Sequence, residues 1–258
     1  MTDHDPGVAA EAPAERQQVV RAGNTVPEDR VTGMFDAIAP VYDRVNTLMT
    51  GGLDGRWRRA AVKAARLSRG GRALDVACGT GKLTAALARA VGPDGHVVGV
   101  DLSPVMLVEA RRAFGDLPEV EFLLGNALAL PVKDGTFDAA TIAFGLRNLA
   151  SFEDGFREMA RAVRSGGQVV CLELSVPRRR FLGRLYAGVF RVSAPTMGAI
   201  FRRRKAYSYL PHSLEDFPSA EDIAATMERA GLRDVRLKRL AFGAVALHVG
   251  TVAEASAA

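Results

Sequence analysis

The chain has 258 residues, of which 48% are hydrophobic and 24% charged. This composition is that of an ordinary globular protein, and it excludes collagen-like, coiled-coil and disordered classes. The net charge of +5 suits a polyanionic partner or an anionic membrane surface without deciding between them. Only two cysteines are present, Cys78 and Cys171, which is too few for a disulfide framework and favours a reducing compartment.

The first thirty residues lack the apolar core of a secretory signal, and no run of eighteen apolar residues occurs elsewhere. We therefore expect a cytoplasmic protein, with peripheral contact to the inner face of the membrane left open. The patterning predicts a flexible tail over residues 1–28, one domain over 29–250 with a helical insertion at about 176–218, and a second flexible tail over 251–258.

A helix is predicted first, because Phe35, Ile38 and Tyr42 fall on one helical face. Short β-type runs then alternate with helical patterns, which predicts βαβ units and a parallel sheet. The predicted strands are Arg72–Val76, His96–Val100, Val120–Leu124, Thr136–Ala143 and Gly167–Leu174. The predicted helices begin at Gly81, at Pro104 after the N-cap Ser103, and at Phe152 after Ser151.

The C-terminal part predicts a helix near Ala220–Ala230 and two β-type runs, Val235–Leu240 and Val245–Val249. A tight break at Phe242–Gly243 separates these runs, so they are predicted to form an antiparallel hairpin. The predicted fold is therefore α/β and Rossmann-like, with a mostly parallel seven-stranded sheet, helices on both faces and a terminal antiparallel hairpin.

The first predicted strand runs into a glycine turn and then a helix, which is typical of a nucleotide site. Gly79 and Gly81 let the backbone bend sharply and approach a ligand. Asp101 follows twenty residues after Gly81, at the end of the second strand, where a carboxylate can accept both ribose hydroxyls. The alternative is a tight turn without a ligand, but the strand, helix and spaced acid together favour an adenosine pocket.

Two residues favour S-adenosyl-L-methionine over NAD as the cofactor. Thr84 stands where the dinucleotide fingerprint has a third glycine or alanine, and Asp75 places a negative charge beside the turn. That charge would repel a pyrophosphate and attract an ammonium and a sulfonium. After the third strand, Asn126 and Ala127 are predicted to read the adenine edge through an amide side chain and a backbone N–H.

Several segments resemble class I methyltransferases, and specifically the UbiE/MenG-type enzymes of ubiquinone and menaquinone biosynthesis. They lie between Val31 and Gly250 and include Phe35–Ala39, Trp57–Arg59, Asp75–Gly81, Phe144–Asn148 and Tyr207–Pro211. The resemblance implies C-methylation of a demethylmenaquinol to menaquinol, or of the corresponding polyprenyl benzoquinol. It also implies cofactor contacts at Thr80, Asp101, Asn126, Ala127 and Ala143. Many relatives carry serine where Ala143 stands, so only a backbone contact is expected there.

Removing the proton of a quinol hydroxyl at pH 7 costs roughly 4 kcal/mol, so the site must stabilise the anion. Arg147 follows the fourth strand and is our candidate for this role, with Asn148 beside it as a second donor; the alternative for Arg147 is a structural salt bridge. Tyr42, Tyr209 and His212 are weaker candidates for the substrate pocket, and no metal is expected. His248 is interpreted as a core or sheet-edge histidine.

Residues 174–214 contain nine basic residues and no acidic one. Phe181, Leu185, Val189 and Val192 lie there at helical spacing, which fits either an interfacial helix or a solvated helix covering the site. The expected partner is a lipophilic polyprenyl quinol and not nucleic acid, while a homodimer is left open. RNA or DNA methylation, a cofactor-binding scaffold and an NAD oxidoreductase are the alternatives.

Overall fold

The computed structural model describes residues 23–175 and 217–254. The strands of the described chain are β1 Arg72–Val76, β2 His96–Asp101, β3 Val120–Leu124, β4 Phe137–Ala143, β5 Val163–Leu174, β6 Leu232–Leu240 and β7 Val245–Val252. Its α-helices are α1 Glu28–Met49, α2 Asp54–Ala64, α3 Lys82–Val91, α4 Pro104–Phe114, α5 Phe152–Ala162 and α6 Ala220–Arg229.

The strands form one seven-stranded sheet in the order β3-β2-β1-β4-β5-β7-β6. The first five strands in this order pair in parallel, whereas β7 pairs antiparallel with both β5 and β6. The predicted mixed sheet and terminal hairpin are therefore confirmed. The strand order reverses between β1 and β4, and ligands of such sheets bind outside the carboxyl ends of the strands at this point.

The central strands are buried on both faces, which explains why most of their residues are apolar and do not alternate with exposed polar ones. One face packs Leu74 and Ile142 against Phe156 of α5, and the other packs Leu172 against Leu87 of α3. Both cores are made of large side chains that are fully withdrawn from water. The sheet is therefore a rigid platform for the loops at its carboxyl edge.

Side-chain caps begin three of the helices. The predicted caps are confirmed: the Ser103 hydroxyl accepts a hydrogen bond from the Met106 N–H at the start of α4, and Ser151 accepts one from the Asp154 N–H at the start of α5. A full capping box joins Ser219 and Asp222 at α6. These caps satisfy N–H groups that have no partner inside a helix.

The structure departs from the predicted boundaries at several points. Helix α2 was not predicted, and β5 begins at Val163, four residues earlier than expected. At the N-terminal end of the described chain, the Asn24 N–H donates to the Leu149 carbonyl at 2.6 Å, within the predicted tail. Strand β7 runs to Val252, past the predicted domain end, because Gln168 and Thr251 still pair there.

The remaining predictions concern buried residues and a segment outside the described residues. His248 lies buried on β7 with Nε2 2.8 Å from the Ala220 carbonyl oxygen, and burial lowers its pKa. Both cysteines are free and buried. The insertion, with its predicted apolar stripe, Tyr209 and His212, lies outside the described residues. Among the helices that the structure describes, none is long and apolar enough to cross a bilayer.

Candidate active site

A cavity of about 760 Å³ opens at the carboxyl edge of the sheet, and we refer to it as the first cavity. Its walls are the loops after β1, β2, β3 and β4, together with one face of α1. The residues from α1 are Glu28, Val31, Thr32, Phe35 and Tyr42. The loop residues include Ala77, Gly79, Asp101, Ser103, Asn126, Ala127, Ala143, Phe144, Gly145 and Asn148.

The glycine turn after β1 forms the floor of the first cavity. Gly79 has a φ of +56° and lines the cavity, and the same left-handed backbone recurs at Gly81, with a φ of +80°. Gly81 does not line the cavity, and its predicted approach to the ligand stays a prediction. A Cβ there would lie 2.9 Å from the Phe122 ring, so this glycine is required for packing under the turn.

Asp101 lies where the sequence predicts, at the end of β2 and in the wall of the first cavity. One carboxylate oxygen accepts a 2.7 Å hydrogen bond from the Gly79 N–H, and the other accepts a 2.9 Å bond from the Ser103 N–H. Burial raises the pKa of Asp101 above its ordinary value. Because each oxygen can accept more than one bond, the carboxylate is held in place and can still bind hydroxyl groups.

Asp75, which is predicted to bring a negative charge to the ligand, lies beneath the glycine turn. Its carboxylate is buried beneath the turn, where it accepts hydrogen bonds from Thr84 Oγ1 at 2.7 Å and Thr141 Oγ1 at 3.0 Å. Burial raises its pKa to about 6. Asp75 is not part of the cavity lining, because its side chain leaves β1 towards α3. It supports the turn from below.

Thr80 joins the glycine turn to α1. Its hydroxyl donates a 2.8 Å hydrogen bond to Asp43 of α1, and the residue does not line the first cavity. Lys82 reaches the same Asp43 carboxylate at 3.5 Å. These contacts fix α1 over the glycine turn, and the cofactor contact that the family resemblance implies for Thr80 stays a prediction.

Asn126 and Ala127 line the first cavity after β3, as predicted. The side-chain oxygen Oδ1 of Asn126 accepts a hydrogen bond from the Leu128 N–H at 2.9 Å. The side-chain Nδ2 donates to the two oxygens of the Glu28 carboxylate at 3.1 and 3.2 Å. Glu28 was missed by the sequence analysis, since 98 residues separate it from Asn126 and no local pattern connects them. This corner therefore carries a carboxylate in addition to the predicted amide.

The loop after β4 supplies the last wall. Ala143 lines the first cavity as expected, and Gly145 allows close contact between loops, since a Cβ there would lie 2.6 Å from the Cβ of Ala77. Asn148 also lines this cavity. Its side-chain oxygen is buried and makes no hydrogen bond within the part of the chain that the structure describes. A buried acceptor of this kind indicates a position for a donor on a ligand.

A second cavity, of about 690 Å³, lies beside the first one. Helices α1 and α2, the loop after β4 and the ends of β5 and β7 enclose it. Its lining residues are Tyr42, Asn46, Met49, Thr50, Asp54, Trp57, Arg58, Phe144, Arg147, Leu174, Ala244 and Val245. Tyr42 and Phe144 line both cavities. These two aromatic side chains therefore stand where the two cavities meet.

Arg147 lines the second cavity and forms a buried ion pair with Glu173. This is the salt bridge that the sequence analysis kept as the alternative reading of Arg147. Asn148, which is predicted to act beside it as a second donor, lines the first cavity, and its catalytic role stays a prediction. The two residues lie consecutively in a 3-10 turn, Leu146–Asn148, in which neighbouring side chains point in different directions.

The electrostatics of the first cavity fit S-adenosylmethionine. Two carboxylates, Glu28 and Asp101, and the Asn148 oxygen face it, and none of its described lining residues is basic. Such a lining suits a ligand with a sulfonium and an ammonium and disfavours a diphosphate. The preference for S-adenosylmethionine over a diphosphate cofactor, predicted from Asp75, is therefore supported by Glu28, Asp101 and Asn148. Among the described residues there is no cluster of side chains suited to a metal ion.

Solved structures share this fold at low sequence identity. A methyltransferase of Aquifex aeolicus that depends on S-adenosylmethionine is 19% identical, with a TM-score of 0.60, over 81% of this chain and 97% of that chain. The cyclase SpnF is 18% identical, with a TM-score of 0.66, over 91% of this chain and 100% of that chain. The second likeness shows that the fold by itself does not define the reaction.

The fold and the site define a class I methyltransferase dependent on S-adenosylmethionine. The ubiE/COQ5 methyltransferase family model matches residues 24–252, and the chain belongs to that family. It is 41% identical to the ubiquinone/menaquinone biosynthesis C-methyltransferase UbiE of Geobacter sulfurreducens, over 86% of this chain and 88% of the relative. It is 39% identical to the demethylmenaquinone methyltransferase of Bacillus subtilis, over 86% and 97% respectively.

Proposed function

We propose that this protein transfers the methyl group of S-adenosylmethionine to a ring carbon of a demethylmenaquinol, giving menaquinol. The observation that carries the proposal is the pair of adjoining cavities with Tyr42 and Phe144 in the walls of both. A donor in one cavity and an aromatic ring in the other would meet beside these two residues. Methyl transfer to carbon depends on such alignment of the two reactants.

The residues of the first cavity divide into groups that suit the parts of the cofactor. In this proposal Asp101 accepts the ribose hydroxyls, and Glu28 and Asn126 bind the polar edge of adenine; all three line the first cavity. Gly79 and Asn148 bind the amino-acid end, where the buried Asn148 oxygen accepts from the ammonium. When bound, the cofactor supplies a methyl group on a positively charged sulfur.

The second cavity suits a quinol ring with polar substituents. Met49, Trp57 and Leu174 give it apolar walls, and they exclude water from a nucleophile that reacts best when desolvated. Arg147 presents guanidinium N–H groups whose charge Glu173 offsets. Arg147 therefore orients a ring oxygen as a fixed donor, and its net charge contributes less than the sequence analysis assumed.

The corresponding polyprenyl benzoquinol of ubiquinone biosynthesis is the second candidate substrate. The name of the Geobacter sulfurreducens relative covers both quinones, whereas the Bacillus names specify demethylmenaquinone. Of eight relatives that are 39–41% identical to this chain, seven carry the demethylmenaquinone name. This pattern favours the naphthoquinol.

A cytoplasmic location with peripheral membrane contact also belongs to this proposal. A polyprenyl quinol resides in the bilayer, and the nine basic residues of 174–214 would attract an anionic surface by about 1 kcal/mol each. Sedimentation with vesicles tests this contact. We expect binding to vesicles that contain phosphatidylglycerol, loss of binding at high salt, and no binding to neutral vesicles.

Labelled methyl transfer tests the reaction. The purified protein is incubated with methyl-¹³C S-adenosylmethionine and a chemically reduced short-chain demethylmenaquinol, and the product is examined by NMR. The proposal predicts a new aryl methyl carbon on the ring. A methoxy signal would assign transfer to oxygen, and the absence of any labelled quinol with either quinol class would contradict the proposal.

A further inference from the structure

Helix α2 places a carboxylate and a guanidinium in the wall of the second cavity. Asp54 is the first residue of this helix, and Arg58 follows one turn later. Both line the cavity, and their side chains are only 9% and 13% exposed, respectively. A charged pair withdrawn from water to this extent in a cavity wall calls for a functional explanation.

Within residues 23–175 and 217–254, the polar contacts of the Asp54 carboxylate are all long. The donors are Thr50 Oγ1 at 3.4 Å, Arg58 Nε at 3.8 Å and Lys82 Nζ at 3.9 Å. Charge-assisted hydrogen bonds to a carboxylate are normally 2.7–2.9 Å from nitrogen and shorter from oxygen. The Asp54 carboxylate therefore retains its capacity to accept a short hydrogen bond from a hydroxyl group that enters the cavity.

The Arg58 guanidinium is equally available to a ligand. Its Nε is buried and makes no hydrogen bond to the residues that the structure describes. The guanidinium lies 5.5 Å from the centre of the Phe144 ring, one of the two side chains shared by both cavities. It is therefore a cation placed next to the point where donor and acceptor would meet.

The other charged side chains at this cavity, Arg147 and its partner Glu173, are already engaged with each other. Glu173 accepts hydrogen bonds from Arg147 Nη1 and from its neighbour's N–H, that of Leu174, at 2.8 Å. Arg147 is held in that ion pair, and a guanidinium is not deprotonated in proteins. Asp54 is thus the carboxylate in the described lining of the second cavity that remains able to take a proton.

We propose that Asp54 is the general base that removes the quinol hydroxyl proton, and that Arg58 is the cation that faces the oxygen anion formed. This inference rests on the proposed function. The O–H bond breaks and its proton passes to Asp54. The ring carbon forms a bond to the methyl group as the carbon–sulfur bond breaks, with its electron pair going to sulfur. The ring C–H proton then leaves to water, aromaticity returns, and Asp54 gives its proton back to the oxygen.

The experiment compares Asp54→Asn and Arg58→Ala with two matched exposed controls, Asp116→Asn and Arg59→Ala. General base catalysis contributes about 10²–10⁴-fold, so we expect Asp54→Asn to lower kcat by at least about 10²-fold. Arg58→Ala should also lower kcat, and Arg58→Lys should restore part of it because the charge returns. Cofactor affinity, measured by calorimetry, should stay unchanged in all variants.

A series of quinols tests the role of the proton. The deficit of Asp54→Asn should shrink as halogen substituents make the quinol hydroxyl more acidic, because a preformed anion needs no base. A purely structural residue would give the same deficit for every quinol, and that result overturns the proposal. Activity of Asp54→Asn within a few-fold of the wild type overturns it as well.

Two further results keep the outcome decisive. If Asp54→Asn fails to fold, Asp54→Ala with added formate replaces it; recovery of turnover supports the proposal, and no recovery in a folded variant contradicts it. Wild-type turnover of a quinol decides the proposed function separately. If the wild type methylates no quinol, both proposals fall, whereas an active wild type and an equally active Asp54→Asn defeat this inference alone.

Discussion

The two cavities differ in how the chain builds them. The first is made mostly of loops that directly follow β1 to β4, so each contribution lies next to a recognisable strand. The second is assembled from α1, α2, the end of β5 and the start of β7, which are far apart in the sequence. Local motifs thus specify the cofactor side, while tertiary packing specifies the acceptor side.

The cavities also differ in charge, and this gives each a distinct response to substitution. The first is lined by acidic and neutral groups, whereas the second carries Asp54, Arg58 and the Arg147–Glu173 ion pair. Changes in the first cavity should alter cofactor affinity. Changes in the second should alter stability or turnover while cofactor affinity remains constant.

The largest expected effect is on stability and comes from the ion pair behind the second cavity. Glu173→Leu leaves the Arg147 charge buried without its carboxylate, so the free energy of unfolding should fall by about 3–5 kcal/mol. Urea denaturation measures it. The double variant Arg147→Met/Glu173→Leu is the matched control and should recover much of the loss. Equal stability of Glu173→Leu and the wild type would contradict the presence of a buried Arg147–Glu173 ion pair.

The next largest effect is the pH dependence of stability caused by Asp75, which lies beneath the glycine turn of the first cavity. Burial raises the pKa of Asp75 to about 6 from 3.8, so the folded state binds more protons than the unfolded state between these values. Stability from this group is therefore present at low pH and is lost as pH rises towards 6. The stability of the wild type relative to Asp75→Asn should fall by up to about 3 kcal/mol from pH 4 to pH 7.

Urea denaturation of both proteins across that range checks the Asp75 prediction. Asp116→Asn, at an exposed site, should show no such dependence relative to the wild type. A constant difference between the wild type and Asp75→Asn would mean that burial does not perturb this carboxyl.

A smaller effect should be confined to cofactor affinity. Asp101→Ala removes the acceptor of the Gly79 and Ser103 N–H groups together with the expected ribose contact. Hydrogen bonds to charged groups contribute about 1.5–3 kcal/mol each, so the Kd for S-adenosylmethionine should rise by about 10²-fold or more. Calorimetric titration measures this change, with Asp116→Ala as the control. A Kd equal to that of the wild type would remove Asp101 from the cofactor site.

The smallest effect should come from Glu28, which reaches the first cavity from α1. Glu28→Gln keeps the shape but weakens the hydrogen bond from Asn126, so the Kd for S-adenosylmethionine should rise by less than about tenfold. The adjacent exposed Asp29→Asn should bind as the wild type does. Equal affinity of Glu28→Gln and the wild type would remove Glu28 from the cofactor site.

The sequence predicted the strands and the positions of Asp101, Asn126, Ala127 and Ala143 because each lies at or just after the end of a β-type run. It did not predict the hydrogen bonds that Asp75 and Thr80 make, since position along the chain does not give the direction of a side chain beneath a turn. It quoted Arg58 only within a family segment and did not identify Asp54. Asp54 and Arg58 are recognised as site candidates only in the tertiary structure, where α2 packs beside the ends of β5 and β7.

The single tryptophan of the chain, Trp57, lines the second cavity and offers the most direct test of the division between donor and acceptor. The measurement is acrylamide quenching of its fluorescence, alone, with S-adenosylhomocysteine, and with a reduced short-chain demethylmenaquinol. We predict that the quinol shields Trp57 from acrylamide and that the nucleoside alone does not. Quinol binding that leaves the quenching constant unchanged would contradict the placement of the acceptor ring in the second cavity.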